Sequence, residues 1–330
     1  MMKNLLIVSL TALITISSVD AQKLHSIDGN ANTYSIVAYD RKNNQMGVAV
    51  QSHYFGVGSI VTWAEPGVGA VATQSIVDVS YGPLGLNLMR AGKSAEQTLR
   101  GLLASDHTPE VRQVAMVDAK GIISAHTGDK CIAEAGHRIG KNYSVQANIM
   151  LKNTVWDAMG RAFETTEGEL VDRLLSALNA AQKEGGDLRG KQSAAIMIVA
   201  IDPVGNIYLD RPYDLRVEDD KNPLKELGRL IEIAKAYNHV SRGDDHAAEE
   251  NFDEALKEYQ IGMQMQPENV ELRFWYATTL VMVGKVKQSL PVFKWVFERE
   301  PIWKELVPRL VLSGFLPDDK KIIKKILKEG

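Results

Sequence analysis

The sequence is poor in the residues that build disulfides and metal centres. Cys131 is the one cysteine among 330 residues, which rules out an intramolecular disulfide and a cysteine metal cluster within this chain. The seven histidines are scattered and form no HxxxH or HExxH motif. We therefore expect no metal site.

Nucleotide-binding and serine-hydrolase motifs are missing too. There is no Walker loop, GVGSIV and GVGAVA lack the third glycine of a dinucleotide fingerprint, and no GxSxG elbow occurs. The formal net charge is −3, so no excess of basic residues indicates binding to nucleic acid. Neither a cofactor nor a nucleic-acid partner is expected.

A single apolar stretch stands at the N-terminus. Lys3 precedes the run LLIVSLTALITI (5–16), and Val19 and Ala21 occupy the −3 and −1 positions of a cleavage site. The run is short for a membrane span. A buried strand or helix is the weaker alternative, because no turn or amphipathic pattern frames the run. We predict a signal peptide at 1–21, export to the periplasm or beyond, a short segment at 22–32, and no membrane span after cleavage.

The rest of the chain has ordinary globular composition, with 45% hydrophobic and 24% charged residues. From 33 to about 217, short apolar runs such as TYSIVAYD and MGVAVQS alternate with two helical stretches, 82–106 and 154–186. The runs SAAIMIVAID (193–202) and NIYLDRPYDLRV (206–217) are predicted to close the domain as a strand pair. Gly92 and Ser94 should divide the first stretch into two helices, with Ser94 as N-cap. The order strands, helix, strands, helix, strands predicts an α+β domain with helices packed on antiparallel sheets.

From about 222 onward the chain is predicted to be helical, with an internal repeat of 34 residues. Phe252, Ala255, Tyr259, Gly262 and Pro267 recur as Val286, Ser289, Phe293, Val296 and Pro301. Gly243 and Ala277 occupy the small-residue position of each first helix. This pattern resembles tetratricopeptide (TPR) repeats, which we assign to 231–317. The basic amphipathic tail at 318–330 is expected to be a solvated capping helix.

Polar side chains begin or end many of the predicted strands, and they are the candidate site residues. They are Thr33, Ser35, Gln51, Ser52, Thr73, Gln74, Gln146, Asn148, Asp187, Arg189, Gln192 and Ser193. Such a group lines a cleft in many proteins, but short polar residues also favour strand ends for turn formation. Thr33 in particular is either a β-branched strand residue or a nucleophile.

A family resemblance bears on this choice. Nine stretches between 33 and about 230 are similar, in order, to the Ntn-hydrolase-like proteins of domain of unknown function 1028. They are TYSIVAYD, GVAVQSHYFGVGSIV, GVGAVATQS, SYGPLGL, RQVAMVDAKG, TGDKCIAEAGH, VQANIM, DLRGKQSAA and DLRVEDDKNPLKELGRL. The resemblance implies the four-layer αββα sandwich of N-terminal nucleophile (Ntn) hydrolases for residues 33–230.

The same resemblance implies roles for the candidate residues. Thr33 would be the nucleophile, with its own α-amine as general base, once a second cut between Asn32 and Thr33 frees that amine. Asp187, Ser193 and Asn148 would complete the catalytic set: Asp187 would orient the amine or Ser193, and Asn148 would make oxyanion or positioning contacts. Arg189 would bind a substrate carboxylate. The substrate-binding set is Ser35, Ser52, Gln74, Gln146, Arg189 and Gln192.

Two functions follow as hypotheses. The first is an exported Ntn-type amidohydrolase that cleaves an amide of a small molecule, peptide or cell-wall fragment. The second is a non-catalytic ligand-binding or envelope scaffold protein that uses the same cleft together with the TPR-like repeats. The repeats are expected to pack on the 33–230 domain or to form a homodimer, and in the binding hypothesis to bind a protein partner.

Overall fold

The computed structural model describes residues 29–31 and 33–329. The predicted signal peptide at 1–21, and residues 22–28 and 32 of the short segment after it, lie outside the described residues. No helix in the described part of the chain has the length and apolar character needed to cross a membrane.

Within the described residues the strands form two antiparallel sheets. The six-stranded sheet has the order β11-β10-β3-β2-β9-β8, and the other has the order β1-β5-β6-β7 with β4 also paired to β5. The strands are β1 (Gly29–Ala31), β2 (Thr33–Asp40), β3 (Gln45–Ser52), β4 (Thr62–Glu65), β5 (Gly69–Val77), β6 (Arg112–Asp118), β7 (Ile123–Thr127), β8 (Gly136–Gly140), β9 (Tyr143–Ala147), β10 (Ser193–Ala200) and β11 (Tyr213–Val217). The antiparallel arrangement is the predicted one.

In the described residues, α-helices and short α-helical turns accompany these strands. They are α1 (Gly58–Val61), α2 (Tyr81–Arg90), α3 (Ala95–Ser105), α4 (Val155–Thr165), α5 (Leu170–Glu184) and α6 (Ile207–Asp210). As predicted, Ser94 caps α3: its hydroxyl accepts from the Gln97 amide while the Gln97 side chain bonds back to the Ser94 N–H.

One predicted element was wrong. The segment 206–217 was expected to be a single strand, but α6 occupies its first half and only β11 is extended. The reason is local: the Asn206 side chain accepts from the Tyr208 N–H, and the Asp210 carboxylate accepts from the Val204 and Gly205 N–H groups. These bonds give the backbone an alternative to a sheet ladder. Strand β8 was not predicted.

The side-chain alternation of the strands produces a layered core. Tyr34, Ile36 and Ala38 of β2 pack against α4 and α5 on the outer face of the six-stranded sheet. Val37 of β2 points the other way and packs, with residues of β3 and β10, against β5 and β6 of the second sheet. Helices α2 and α3 cover the remaining face of the second sheet. Thr33 and Ser35 therefore face the space between the sheets.

The C-terminal part is helical, as predicted. Its helices are α7 (Pro223–Ala248), α8 (Phe252–Met265), α9 (Val270–Met282), α10 (Val286–Arg299), α11 (Leu306–Leu312) and α12 (Lys320–Leu327). Gly243 allows α8 to approach α7 closely, because a Cβ at this position would lie 2.7 Å from the Tyr259 ring. Ala277 and Phe293 belong to one buried cluster formed by α9, α10 and the helices after them.

Candidate functional site

Three hydroxyl residues lie side by side at one end of the six-stranded sheet. Thr33 of β2 pairs directly with Ser52 of β3, and Ser52 pairs with Ser193 of β10. Directly paired residues of antiparallel strands project on the same face, and all three residues are fully buried. The row faces the space between the two sheets, because Thr33 has the same orientation as Val37 further along β2.

A second group of polar side chains joins the two sheets next to this row. The Ser35 hydroxyl donates to Gln74 Oε1 of β5 and accepts from Gln146 Nε2 of β9, each at 2.6 Å. Gln74 Nε2 also donates to the Thr33 carbonyl oxygen at 3.2 Å. Because amide groups have a donor and an acceptor end, these bonds determine which way each carboxamide points.

Gln113 of β6, which was not among the candidate residues, holds this group together. Its Oε1 accepts from Gln74 Nε2 at 2.7 Å and from Asn148 Nδ2 at 2.8 Å. Its Nε2 donates to Thr127 Oγ1 and to the Ala147 carbonyl, both at 2.9 Å. Gln113 alternates along the strand with Ala115 and Val117, whose side chains face the other sheet. This alternation is the sequence signal that would have identified Gln113.

The backbone of Thr33 is held by the same side chains. Asn148 donates its backbone N–H to the Thr33 carbonyl at 3.1 Å and its Nδ2 to the same oxygen at 3.5 Å. The Oδ1 of Asn148 is buried and has no hydrogen-bond partner among the described residues. Because buried carboxamide oxygens normally accept a hydrogen bond, Asn148 Oδ1 is an available acceptor.

Asp187 and Arg189 form a pair where the loop before β10 begins. Arg189 donates two hydrogen bonds to the carboxylate: Nε donates to Oδ1 at 3.1 Å and Nη2 donates to Oδ2 at 2.8 Å. The His53 backbone N–H donates to Oδ2 as well, at 3.2 Å. The Asp187 carboxylate is fully buried, so its charge is compensated by the guanidinium and by backbone N–H groups.

The Asp187 charge also affects Tyr34, whose side chain lies on the face of β2 opposite to Thr33. Burial, followed by the Asp187 charge, raises the pKa of the Tyr34 hydroxyl well above its usual value. Tyr34 is therefore a neutral donor, and its hydroxyl bonds Gln51 Oε1 and Gln182 Oε1. Gln51 thus faces the helices, away from the Thr33 row.

The remaining predicted residues make other contacts. The Ser193 hydroxyl donates to the Tyr54 carbonyl and accepts from the Val57 N–H, and Gln192 Nε2 donates to Asp219 at 3.1 Å. The structure brings together Thr33, Ser35, Ser52, Gln74, Gln146, Asn148 and Ser193, beside the Asp187–Arg189 pair. Among the described residues no three His, Cys, Asp or Glu side chains gather as metal ligands would.

The chain enters this site from the other sheet. Ala31 of β1 pairs with Ser75 of β5, and two residues later Thr33 begins β2. The chain therefore leaves the second sheet at Ala31 and enters the six-stranded sheet at Thr33.

Comparisons with known proteins agree on one family. A family model described as "family of unknown function (DUF1028)" matches residues 33–227. A crystal structure of a DUF1028 protein from Silicibacter pomeroyi is similar, with a TM-score of 0.56 and 26% sequence identity. The similarity covers 62% of this chain and 87% of the other. A search of curated proteins finds no match.

Proposed function

The chain belongs to the family of unknown function DUF1028, and we propose that it is an exported amidohydrolase of the N-terminal nucleophile type. Its substrate would be an amide of a small molecule, peptide or cell-wall fragment, and Thr33 would act once processing frees its amine. Export rests on the apolar N-terminal run.

The observation that carries this proposal is the position of Thr33. It begins a central strand, it faces the space between two packed sheets, and the chain before it pairs with the opposite sheet. The family match also begins at residue 33. A nucleophile that uses its own amine as base must be the first residue of its mature domain, and these features are the ones such a residue requires.

The layering of the core supports the corresponding fold. Helices α4 and α5, the two sheets, and helices α2 and α3 follow one another across the domain. We infer that this is the four-layer αββα sandwich of Ntn hydrolases. Fold alone does not establish activity, so the mechanism rests on the site residues.

The proposed reaction proceeds through an ester on Thr33. The α-amine takes the proton of the Thr33 hydroxyl as that oxygen attacks the substrate carbonyl, and the same proton then leaves with the departing amine. Water hydrolyses the ester. An α-amine has an ordinary pKa of about 7.7–8.0, which suits a base near neutral pH. The unpartnered Asn148 Oδ1 would accept a hydrogen bond from the amine. Asn148 Nδ2 and Gln146 Nε2 would stabilise the oxyanion once they exchange their present acceptors, Gln113 and Ser35, for it.

We further propose that the helical part consists of TPR-like repeats. Helices α8 and α10 begin 34 residues apart, at Phe252 and Val286, and the Gly243–Tyr259 contact matches the expected fit of a small residue against an aromatic ring. Gly243→Ala should destabilise the protein by roughly 1–3 kcal/mol through overpacking, measured by urea unfolding. Gly101→Ala in α3 is the control: nothing lies within 4 Å of its Cβ position, so it should be neutral or slightly stabilising.

A binding protein is the second candidate, and one observation favours it. With β1 paired to the second sheet, Thr33 is fully buried, as expected if the chain is never cut there. The cleft would then hold a ligand without cleaving it, with the repeats docking a partner.

The intact mass and N-terminal sequence of the protein recovered from its native compartment separate these functions. We expect a chain that begins at Thr33. A chain that begins at Gln22 would leave the Thr33 nitrogen in a peptide bond, which removes the general base, and the binding function would replace the hydrolase.

A further inference from the structure

We propose that an apolar rim beside Thr33 binds the acyl chain of the substrate, so that the substrate is an amide of an aliphatic carboxylic acid. The rim consists of Ile132, Leu151 and Leu188. This inference rests on the proposed function for the cleavage step, but the rim itself is defined by contacts and exposure alone.

Backbone hydrogen bonds bring three distant segments together to form the rim. The Ile149 N–H donates to the Ile132 carbonyl at 3.1 Å, and the Leu188 N–H donates to the Ile149 carbonyl at 3.0 Å. The Leu151 N–H donates to the Gly186 carbonyl at 2.9 Å. The Leu151 side chain also lies over the loop that carries Leu188, within 2.9 Å of a Cβ built at Gly185.

The rim side chains are open to solvent. Ile132 is 41% exposed, Leu151 52% and Leu188 62%. Single exposed apolar residues are common, but a group of them on neighbouring segments beside a polar cleft is typical of a binding surface. Ile149, between them, is half-buried against the core, so the rim rests on a fixed base.

The rim continues directly into the candidate site. Asn148, which precedes Ile149, bonds the Thr33 carbonyl through its backbone N–H. Asp187, which precedes Leu188, forms an isolated bridge with Met150. Asn148 contacts Thr33 and is followed directly by the segment that carries Leu151, so we infer that an amide held at Thr33 extends its acyl group toward the rim.

The charges nearby favour a neutral group at this position. One paired-donor edge of Arg189, formed by Nε and Nη2, is occupied by the two oxygens of Asp187. The pair largely cancels its own charge. The rim side chains supply aliphatic surface next to this pair, with the Lys152–Glu184 ion pair at its edge, and an aliphatic chain gains free energy with each methylene that leaves water.

Chain-length dependence of hydrolysis tests this proposal. The wild-type chain, as recovered, is assayed with acetyl, butanoyl and hexanoyl p-nitroanilides; water splits each into the carboxylate and p-nitroaniline, whose absorbance is followed. We expect kcat/KM to rise about two- to fourfold per added methylene. In the double variant Leu151→Ser, Leu188→Ser this gain with chain length should largely disappear. Leu312→Ser, at an 89% exposed leucine of α11, is the control and should keep the full dependence.

A binding experiment keeps the rim testable if no hydrolysis occurs. Octanoate and acetate are titrated into the wild-type chain by calorimetry, and only octanoate should bind, with affinity lost in the double variant. Octanoate binding without hydrolysis would overturn the hydrolase and keep the rim. Hydrolysis without chain-length dependence would overturn the rim and keep the hydrolase. A wild-type dimer that the double variant dissociates would make the rim an interface between copies and would also overturn the proposal.

Discussion

The space between the two sheets has an apolar end and a polar end, although the same strands build both. At the apolar end, Val37 of β2 and Met46 and Val48 of β3 pack against alanines of β5 and β6. At the polar end, Thr33 and Ser35 of β2 meet carboxamides from the facing sheet. Apolar burial stabilises the fold directly, whereas a buried polar network contributes little net stability even when it is satisfied. The polar end therefore contributes less to stability than the apolar end, which agrees with our proposal that it serves the chemistry of the site.

The strongest test of the polar end is Thr33→Ala. Removal of the nucleophile should lower amidase activity by at least about 10³-fold, while the fold persists because one hydroxyl and one methyl group are lost. The release of amine from the p-nitroanilides measures this effect. Thr165→Ala, at an exposed threonine of α4, should retain wild-type activity. Undiminished hydrolysis by the Thr33 variant would exclude Thr33 as the nucleophile.

At the apolar end, Met46→Ala should lower the free energy of unfolding, although Met46 has no role in the proposed reaction. Met46 is fully buried between the sheets, so truncation leaves a cavity and should cost roughly 2–5 kcal/mol in the free energy of unfolding. Urea denaturation measures the loss, and the folded fraction should keep its activity per molecule. A cost below about 0.5 kcal/mol would show that the apolar end is not tightly packed.

At the polar end, Ser35→Ala should lower the free energy of unfolding less than Met46→Ala does, and it should lower the amidase activity more. The variant leaves Gln74 Oε1 and Gln146 Nε2 each without a buried partner, at a cost of roughly 1–3 kcal/mol. The freed carboxamides can then rotate away from Thr33, which should lower kcat. Ser313→Ala, at an exposed serine of α11's end, is expected to change neither quantity. An equal kcat in the Ser35 variant and in wild type would show that the hydrogen-bond network does not contribute to catalysis.

The smallest expected effect is on the pH dependence of stability, and it concerns His137, where the hydrogen-bond network of Gln113 reaches the surface. His137 Nδ1 contacts Thr127 Oγ1, which accepts from Gln113. Burial, and secondly His126, lower the pKa of the His137 imidazole below its usual 6.5. The unfolded chain then binds a proton more readily, so this group's contribution to stability is present above pH 6.5 and is lost as the pH falls through the lower folded pKa. Urea unfolding at pH 5 and pH 7 should show a smaller difference for His137→Gln than for wild type; an identical difference would contradict the shift.

Much of the local structure followed from the sequence alone, because it depends on near neighbours. Alternation identified β2 and β3, and the Ser94 cap with Gln97 three residues later located the start of α3. The 34-residue period predicted the spacing of α8 and α10. The segment 206–217 was mistaken because the side-chain bonds of Asn206 and Asp210 override its strand-like composition.

The site itself was decided by the tertiary structure. Ser35 and Gln146 are separated by 111 positions in sequence, and Gln113 reaches Asn148 only because the two sheets pack face to face. The polar residues at the strand ends were visible in the sequence, but their hydrogen-bond partners were not. Local periodicity determines which face of a strand a side chain occupies, whereas the partner across the core depends on how distant strands pair and pack.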